Sequence, residues 1–445
     1  MRGHDFTLLW SASAASQLGH MCALTANPLL ALLLTGSPVV AGWVSAAGTV
    51  PALLMHLFAG WLVDRLDRRR LMLAGQVGRL AAGVLPLGAI AFRDWAAALL
   101  ILFAFFEGLF LVLYNTAEVT AVRHVVTAKK LPTALATNEA RGHLAQLLGR
   151  PLGGFLLGCG KYLPHLVGVL VSVWAIFALS LMRQKNFRPR DVHDPSMAGP
   201  AGPAAVSFRT VLRIVLRSPF LRTVLIIGAV GNFCFQALVL SLLVLAREHD
   251  MSGGHIGLLL ATSGICGLIG SIAAPKIEKW LGDERTIGVC VAAWSALTLV
   301  VALVAEPVTG LVAWGGLSLT GGLLNVALIN HQTGRVPEHM LGRVMGLSRF
   351  LTGGTVPLGA LTAGYLVAAL GPRSTTWLAC AGVLLLACVV PVLMRPRLLR
   401  SRLTIRRRAP RPARLRRVLP DGHPEPQEAA RHHWLNVCHV TLTGW

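Results

Sequence analysis

The chain is predicted to be an all-α membrane protein, with twelve transmembrane helices in two pseudo-symmetric six-helix halves. Three observations carry this expectation. Of its 445 residues, 54% are hydrophobic and 13% charged, and the mean hydropathy is +0.63, whereas soluble chains carry roughly 25% charged residues. Apolar runs of about 20 residues recur, each long enough to cross a hydrocarbon core about 30 Å thick as a helix. The runs are continuous rather than alternating with a period of two, which implies a bundle of self-satisfied helices and not a barrel. Lys and Arg are also unevenly placed: of 41, only Arg93, Lys161, Arg247 and Arg373 fall in the loops on one side of the predicted layout. That asymmetry is what positive-inside insertion produces.

The predicted spans are 6–34, 39–63, 71–92, 95–117, 138–159, 163–182, 218–246, 255–275, 286–305, 309–331, 343–369 and 374–394. Turn residues separate them, for example Thr35-Gly36-Ser37-Pro38, Arg93-Asp94, Glu306-Pro307 and Gly371-Pro372, where the chain reverses within a few residues. The basic side is assigned to the cytoplasm of a cell inner membrane, so both termini are expected inside. The first span follows a short polar lead, Met1 to Asp5, without a small-residue cleavage site, and is read as retained.

Residues 1–182 form the first half and 218–395 the second. Residues 183–217, with Pro195, Gly199, Pro200, Gly202 and Pro203, form a flexible cytoplasmic linker between them. A weak repeat supports the division: Pro151-Leu152-Gly153-Gly154 in span 5 returns as Pro357-Leu358-Gly359-Ala360 in span 11. From 396 to 445 an arginine- and proline-rich tail follows, predicted to be disordered and to lie near anionic lipid, where each basic residue contributes on the order of 1 kcal/mol.

Several function classes drop out. The net charge of +22 would suggest nucleic acid in a soluble chain; here membrane orientation accounts for most of it, and no nucleic-acid partner is expected. The eight cysteines lack a C-x-x-C pair and mostly sit in apolar runs, where a thiol packs as a small hydrophobe. His432-His433 has no companion ligands, so no metal is assigned. Neither a phosphate loop nor a G-x-S-x-G or H-E-x-x-H signature occurs; no cofactor and no enzymatic activity are expected.

The most specific motif is the loop between spans 2 and 3, Gly60-Trp61-Leu62-Val63-Asp64-Arg65-Leu66-Asp67-Arg68-Arg69-Arg70. A glycine, an aspartate four residues on, an arginine next and then a basic cluster resemble the loop signature of the major facilitator superfamily, matched at Gly60, Asp64, Arg65, Arg68, Arg69 and Arg70; Asp67 stands where glycine is usual. An aspartate in that position can accept hydrogen bonds from a neighbouring helix N-terminus. In the family that neighbour is helix 11, expected to begin near Gly342-Arg343, and the latch would favour the outward-facing state. The equivalent loop of the second half is degenerate, with Lys279 in the aspartate position.

Further segments resemble the drug-proton antiporter branch that includes macrolide efflux and siderophore export proteins: Phe6-Thr7-Leu8-Leu9-Trp10, Ser16-Gln17-Leu18-Gly19, Leu34-Thr35-Gly36-Ser37-Pro38, and Gln332 to Val344. The resemblance implies a monomeric secondary active transporter that exports an amphipathic small molecule, in exchange for protons, by rocking its halves about a midplane site. The alternative is an importer or permease of the same fold, or a transport-inactive member. Gly149-Arg150-Pro151-Leu152-Gly153-Gly154 is similar to the antiporter motif of helix 5, with arginine where proline belongs; Gly149, Pro151, Gly153 and Gly154 are expected to let helices 5 and 8 pack closely.

Two charges lie deep in the spans. Glu107, about 18 Å along span 4 at 1.5 Å per residue, is the proton-coupling candidate, and Arg150 is a candidate partner, with Arg79 the other cation in reach. A charge at such depth marks function by default. Asn27, Asn232, Gln236, Asn325 and Asn330 are polar positions on spans 1, 7 and 10, which line the cavity in the resembled family, and are the substrate-cavity candidates.

Overall fold

The computed structural model describes residues 2–65, 67–126, 131–183, 218–304, 306–335 and 338–394, together with 213 and 215; helical stretches 56–65 and 338–343 are described by backbone alone. The linker and tail assigned from sequence fall largely outside these residues.

Among the described residues there are twelve helical passages. They are α1 (Arg2–Thr35), α2 (Pro38–Arg65), α3 in two segments (Arg68–Ala82 and Leu85–Ala91), α4 (Ala96–Val125), α5 (Leu131–Cys159) and α6 (Leu163–Leu181). Then come α7 (Pro219–Glu248), α8 (Gly253–Leu281), α9 (Asp283–Val304) and α10 (Pro307–Arg335). The last passages are α11, made of Glu338–Gly353 and its continuation 355–370, and α12, residues 372–394. Among the described residues, length and hydropathy alone pick out ten spans. The two others have physical explanations. Among the residues whose side chains are described, the apolar stretch of α5 is Leu147–Cys159, and the sequence before it is polar, while α11 runs into α12 as one 48-residue window, Val344–Pro391. Gly371, at φ 79°, breaks that window, a left-handed conformation that glycine adopts without steric cost.

Helix ends follow their sequences. Ser218 and Ser252 accept hydrogen bonds from Leu221 N (3.4 Å) and His255 N (3.3 Å) at the starts of α7 and α8, satisfying amides that a helix start leaves free. Two helices start five or more residues earlier than predicted, α5 at 131 rather than 138 and α11 at 338 rather than 343. In α5 the extra turns carry polar side chains that find partners inside the bundle: Arg141 donates to both oxygens of Glu118 on α4, at 3.0 and 3.1 Å.

The halves repeat one packing scheme. Helix α2 packs on α4 as α8 packs on α10, and α3 on α4 as α9 on α10. Helix α1 is flanked by α5 and α6, as α7 is by α11 and α12. Two seams join the halves, α5 against α8 and α2 against α11. The end of the bundle bearing Arg68, Arg69 and Arg70 is here called the basic end. At the opposite end both seams are tight: a Cβ placed on Gly154 would stand 2.5 Å from Gly257 Cα, and one on Gly42 would stand 2.7 Å from the carbonyl oxygen of Ala360. Helix backbones approach this closely only where small residues face each other. Arg247 on α7 also donates to the carbonyl of Leu32 on α1 at this end.

Candidate functional site

A cavity of about 420 Å³ opens among the second-half helices, and Arg150 reaches into it from α5. Its walls include Asn232 and Phe235 of α7, Trp294 of α9, and Trp314 and Asn325 of α10. The aromatic rings lock edge-to-face, Phe235 to Trp294 at 4.8 Å and Phe235 to Trp314 at 5.6 Å between centroids, the geometry favoured by ring quadrupoles. A second cavity of about 230 Å³ is lined by α1, α2, α5, α7, α8, α10 and α11, and so spans both halves; Gln236, Trp314 and again Arg150 border it.

The orientation of Arg150 follows from how α5 is wedged. Gly149 and Gly153 press against Leu18, Met21 and Cys22 of α1. The stripe Leu147, Arg150, Gly154 and Gly158, at helical spacings of three and four, faces α8 instead, where Leu147 meets Gly264, Gly154 meets Gly257 and Gly158 meets Gly254. This corrects the expectation that all the helix-5 glycines serve the α5–α8 seam: Gly154 does, while Gly149 and Gly153 seat α5 on α1. Pro151 belongs to the seam through its carbonyl, 2.6 Å from a Cβ placed on Gly257. Arg150 Nη1 donates to Ser263 Oγ of α8 at 3.3 Å, so the guanidinium crosses between the halves.

Of the two candidate cations, Glu107 therefore pairs with Arg79 and not with Arg150. Eleven residues beyond the start of α4, or about 17 Å along it, its Oε1 accepts from Arg79 Nη2 at 3.0 Å. His20 Nδ1 lies 3.1 Å from both carboxylate oxygens. Arg79 and Glu107 are each 5% exposed, so each desolvated charge is neutralised by the other. Ser16, one turn before His20, accepts from Arg79 Nη1 and, at 2.9 Å, from Gln76 Nε2. Three helices thus contribute one polar cluster. Arg79 Nε and His165 Nε2 are buried without a partner among the described residues, and both residues border a pocket of about 20 Å³ with Glu107, room for about one water. Sequence reasoning missed His20; its one signal was a second polar residue a helical turn after Ser16 in an apolar span.

Of the polar cavity candidates, Asn232 and Asn325 line the larger cavity and Gln236 the smaller. Asn232 Nδ2 donates to the carbonyl of Thr352 at 2.9 Å, next to the break in α11. Asn27 is buried in α1 and lies on neither wall. Asn330 is corrected: it is exposed and its Nδ2 donates to Glu278 Oε2 at 2.9 Å, tying α10 to α8 toward the basic end.

Residues 9–354 match the family model described as Major Facilitator Superfamily. The chain belongs to the Major Facilitator Superfamily. Among relatives, the multidrug efflux pump Tap of Mycolicibacterium fortuitum is 26% identical over 89% of this chain and 97% of its own length. The enterobactin exporter EntS of Escherichia coli O1:K1 is 26% identical over 75% of this chain and 79% of its own. The nucleoside transporter NupG has the same fold, with a TM-score of 0.62 at 12% identity, over 88% of this chain and 99% of that one.

The major facilitator loop is partly visible. The side chains of Gly60, Asp64, Arg65, Gly342 and Arg343 lie outside the described residues, although all five positions are helical. Leu53 of α2 sits beside Gly354 of α11; toward the basic end, 11 residues lead to Asp64 and 12 to Gly342, about 16 and 18 Å. Asp67, where the major facilitator pattern has glycine, caps α3: its Oδ1 accepts from Arg69 N at 2.9 Å and Arg70 N at 3.1 Å. Arg69 donates to the carbonyls of Leu179 (3.1 and 2.8 Å) and Ser180 (3.1 Å) at the end of α6, meeting the negative pole of that helix. Asp67→Ala is expected to cost about 1 kcal/mol and Asp67→Gly a few tenths, read as unequal losses in melting temperature in detergent.

Proposed function

We propose that this chain is a multi-pass exporter of amphipathic organic compounds. It lies in a bacterial inner membrane with both termini in the cytoplasm, and exchanges its substrate for protons by alternating access. The observation that carries the reading is a pair of cavities that share Arg150 and Trp314, one among the second-half helices and a smaller one spanning both halves, where an apolar and aromatic lining meets a few fixed polar groups, the usual make-up of a small-molecule site. The names of Tap and EntS favour export. Rocking of the segments 1–182 and 218–395 about Arg150 would expose the cavities to each side in turn, with 183–217 as the tether, 396–445 as a lipid-side tail, and Asp64 and Arg343 as parts of the latch.

The His20–Glu107–Arg79 cluster supports proton exchange. A carboxylate and an imidazole can each hold or give up a proton, and a protonation change alters the net charge of a site enclosed by α1, α3, α4 and α6 of one half. Whichever state is favoured, the cluster biases how α1, α3 and α4 pack.

The test is transport in everted membrane vesicles, whose interior acidifies on respiration. A fluorescent amphipathic dye is expected to accumulate inside and to be released by a protonophore. Asp64→Asn in the same assay is expected to slow accumulation at least fivefold. Accumulation only in right-side-out vesicles would establish an importer, and protonophore-insensitive movement would remove the proton from the scheme.

A further inference from the structure

We propose that Arg150 is the recognition point for an acidic group, and that the substrates of the cavity are organic anions with a flat apolar body. This rests on the transporter reading above and specifies its substrate class.

A guanidinium cannot give up its charge in a protein, so near the middle of a bilayer it must be neutralised or wetted. The two arginines that are fully buried among the described residues are neutralised: Arg79 by Glu107 at 3.0 Å, and Arg141 by both oxygens of Glu118 at 3.0 and 3.1 Å. Arg150 is different. No described carboxylate lies within 4 Å of it, and its one described hydrogen bond goes to the neutral hydroxyl of Ser263. Of its five N–H donors, one makes a hydrogen bond among the described residues, and the half-buried residue borders both cavities. A planar fork of donors matches a carboxylate in two parallel hydrogen bonds.

The rest of the cavity suits the other end of such a ligand. Phe235, Trp294 and Trp314 form an interlocked aromatic wall, and Asn232 and Asn325 supply amides on the adjoining surface. A volume of about 420 Å³ is at the small end of drug-sized sites, enough for a two- or three-ring acid. Binding would also bear on the transport cycle. Arg150 and Ser263 join α5 to α8, so a carboxylate that takes the guanidinium competes with a contact that holds the halves together.

The experiment is calorimetric binding to purified full-length protein in nanodiscs. The probes are naphthalene-2-carboxylate, its neutral carboxamide, and chloride alone. The wild type is expected to bind the acid at least tenfold more tightly than the amide. Arg150→Gln is expected to erase that preference by weakening the acid alone, leaving the amide within twofold, and Arg150→Lys to retain part of it. Equal affinity of acid and amide in the wild type would overturn the proposal without requiring any variant to fold. A parallel loss of both in Arg150→Gln would assign the residue a packing role, and saturation by chloride with no gain for the naphthalene body would reduce the site to one for inorganic anions. Direction and proton coupling do not enter this measurement, so a failed vesicle assay and a failed binding assay are separate results.

Discussion

Gly154→Leu is expected to lower transport at least tenfold and leave the protein held open at the end opposite the basic end. At that seam the partner of Gly154 is backbone: its missing Cβ would lie 2.5 Å from Gly257 Cα and 2.6 Å from the carbonyl oxygen of Gly253. No side chain can rotate away to admit the isobutyl group, so α5 and α8 must separate. The nearby pairs add to this, since Gly158 abuts Gly254 and, on the other seam, Gly364 abuts Pro38 and Val39. Interhelical packing in lipid gains from close van der Waals contact and not from a hydrophobic difference between helix and solvent, so a wedge at this point removes much of what holds the seam closed. The check is thiol labelling of a cysteine placed at Gln236, in the cavity wall, using a membrane-impermeant reagent from outside and a background without native cysteines. Labelling should rise in Gly154→Leu. Gly288→Leu is the control, because a Cβ there meets nothing within 4 Å. Wild-type transport by Gly154→Leu would show that this seam does not open and close in the cycle.

Much of the architecture was legible because a bilayer permits few solutions. Apolar length and cation placement determine spans and their order, and only α5 and the α11–α12 join escape a hydropathy count. Helix α5 escapes because Arg141 and Arg150 lie within it; one is compensated by Glu118 on another helix and the other faces a cavity, compensations that no window along a single strand of sequence can register. The site was legible in its members more than in its pairings. Glu107 announced itself as a carboxylate in an apolar run, but its partner depends on helix rotation. Arg79 is 28 residues away and Arg150 is 43, and both looked available. What decided between them was the wedge of Gly149 and Gly153 against α1, which turns the next residue toward α8. Asn330 shows the same limit: it shares α10 with Asn325, yet one lines the cavity and the other binds Glu278 near the basic end.

Glu107→Gln is expected to do two separable things. Removing one partner of a buried ion pair leaves the other charge uncompensated, at a cost of about 3–5 kcal/mol; Arg79, 5% exposed, would be that charge, with Ser16 as its remaining acceptor. The melting temperature should therefore fall by several degrees or more. Protonophore-sensitive accumulation should fall at least tenfold. A loss of function alone would not distinguish a coupling group from a structural one, so the double variant Arg79→Gln/Glu107→Gln is the decisive companion. It replaces a charged pair by two neutral amides, and is expected to regain most of the stability, because replacing both charges removes the desolvation cost together with the attraction. Transport should stay lost, since neither amide exchanges a proton. His20→Gln completes the set: the Arg79–Glu107 bond at 3.0 Å remains, stability should change by no more than about 1 kcal/mol, the net worth of an ordinary hydrogen bond, and coupling should still fail if the imidazole takes part. If the double variant instead recovers stability and protonophore-sensitive transport together, the cluster is a packing device, and the proton must travel elsewhere.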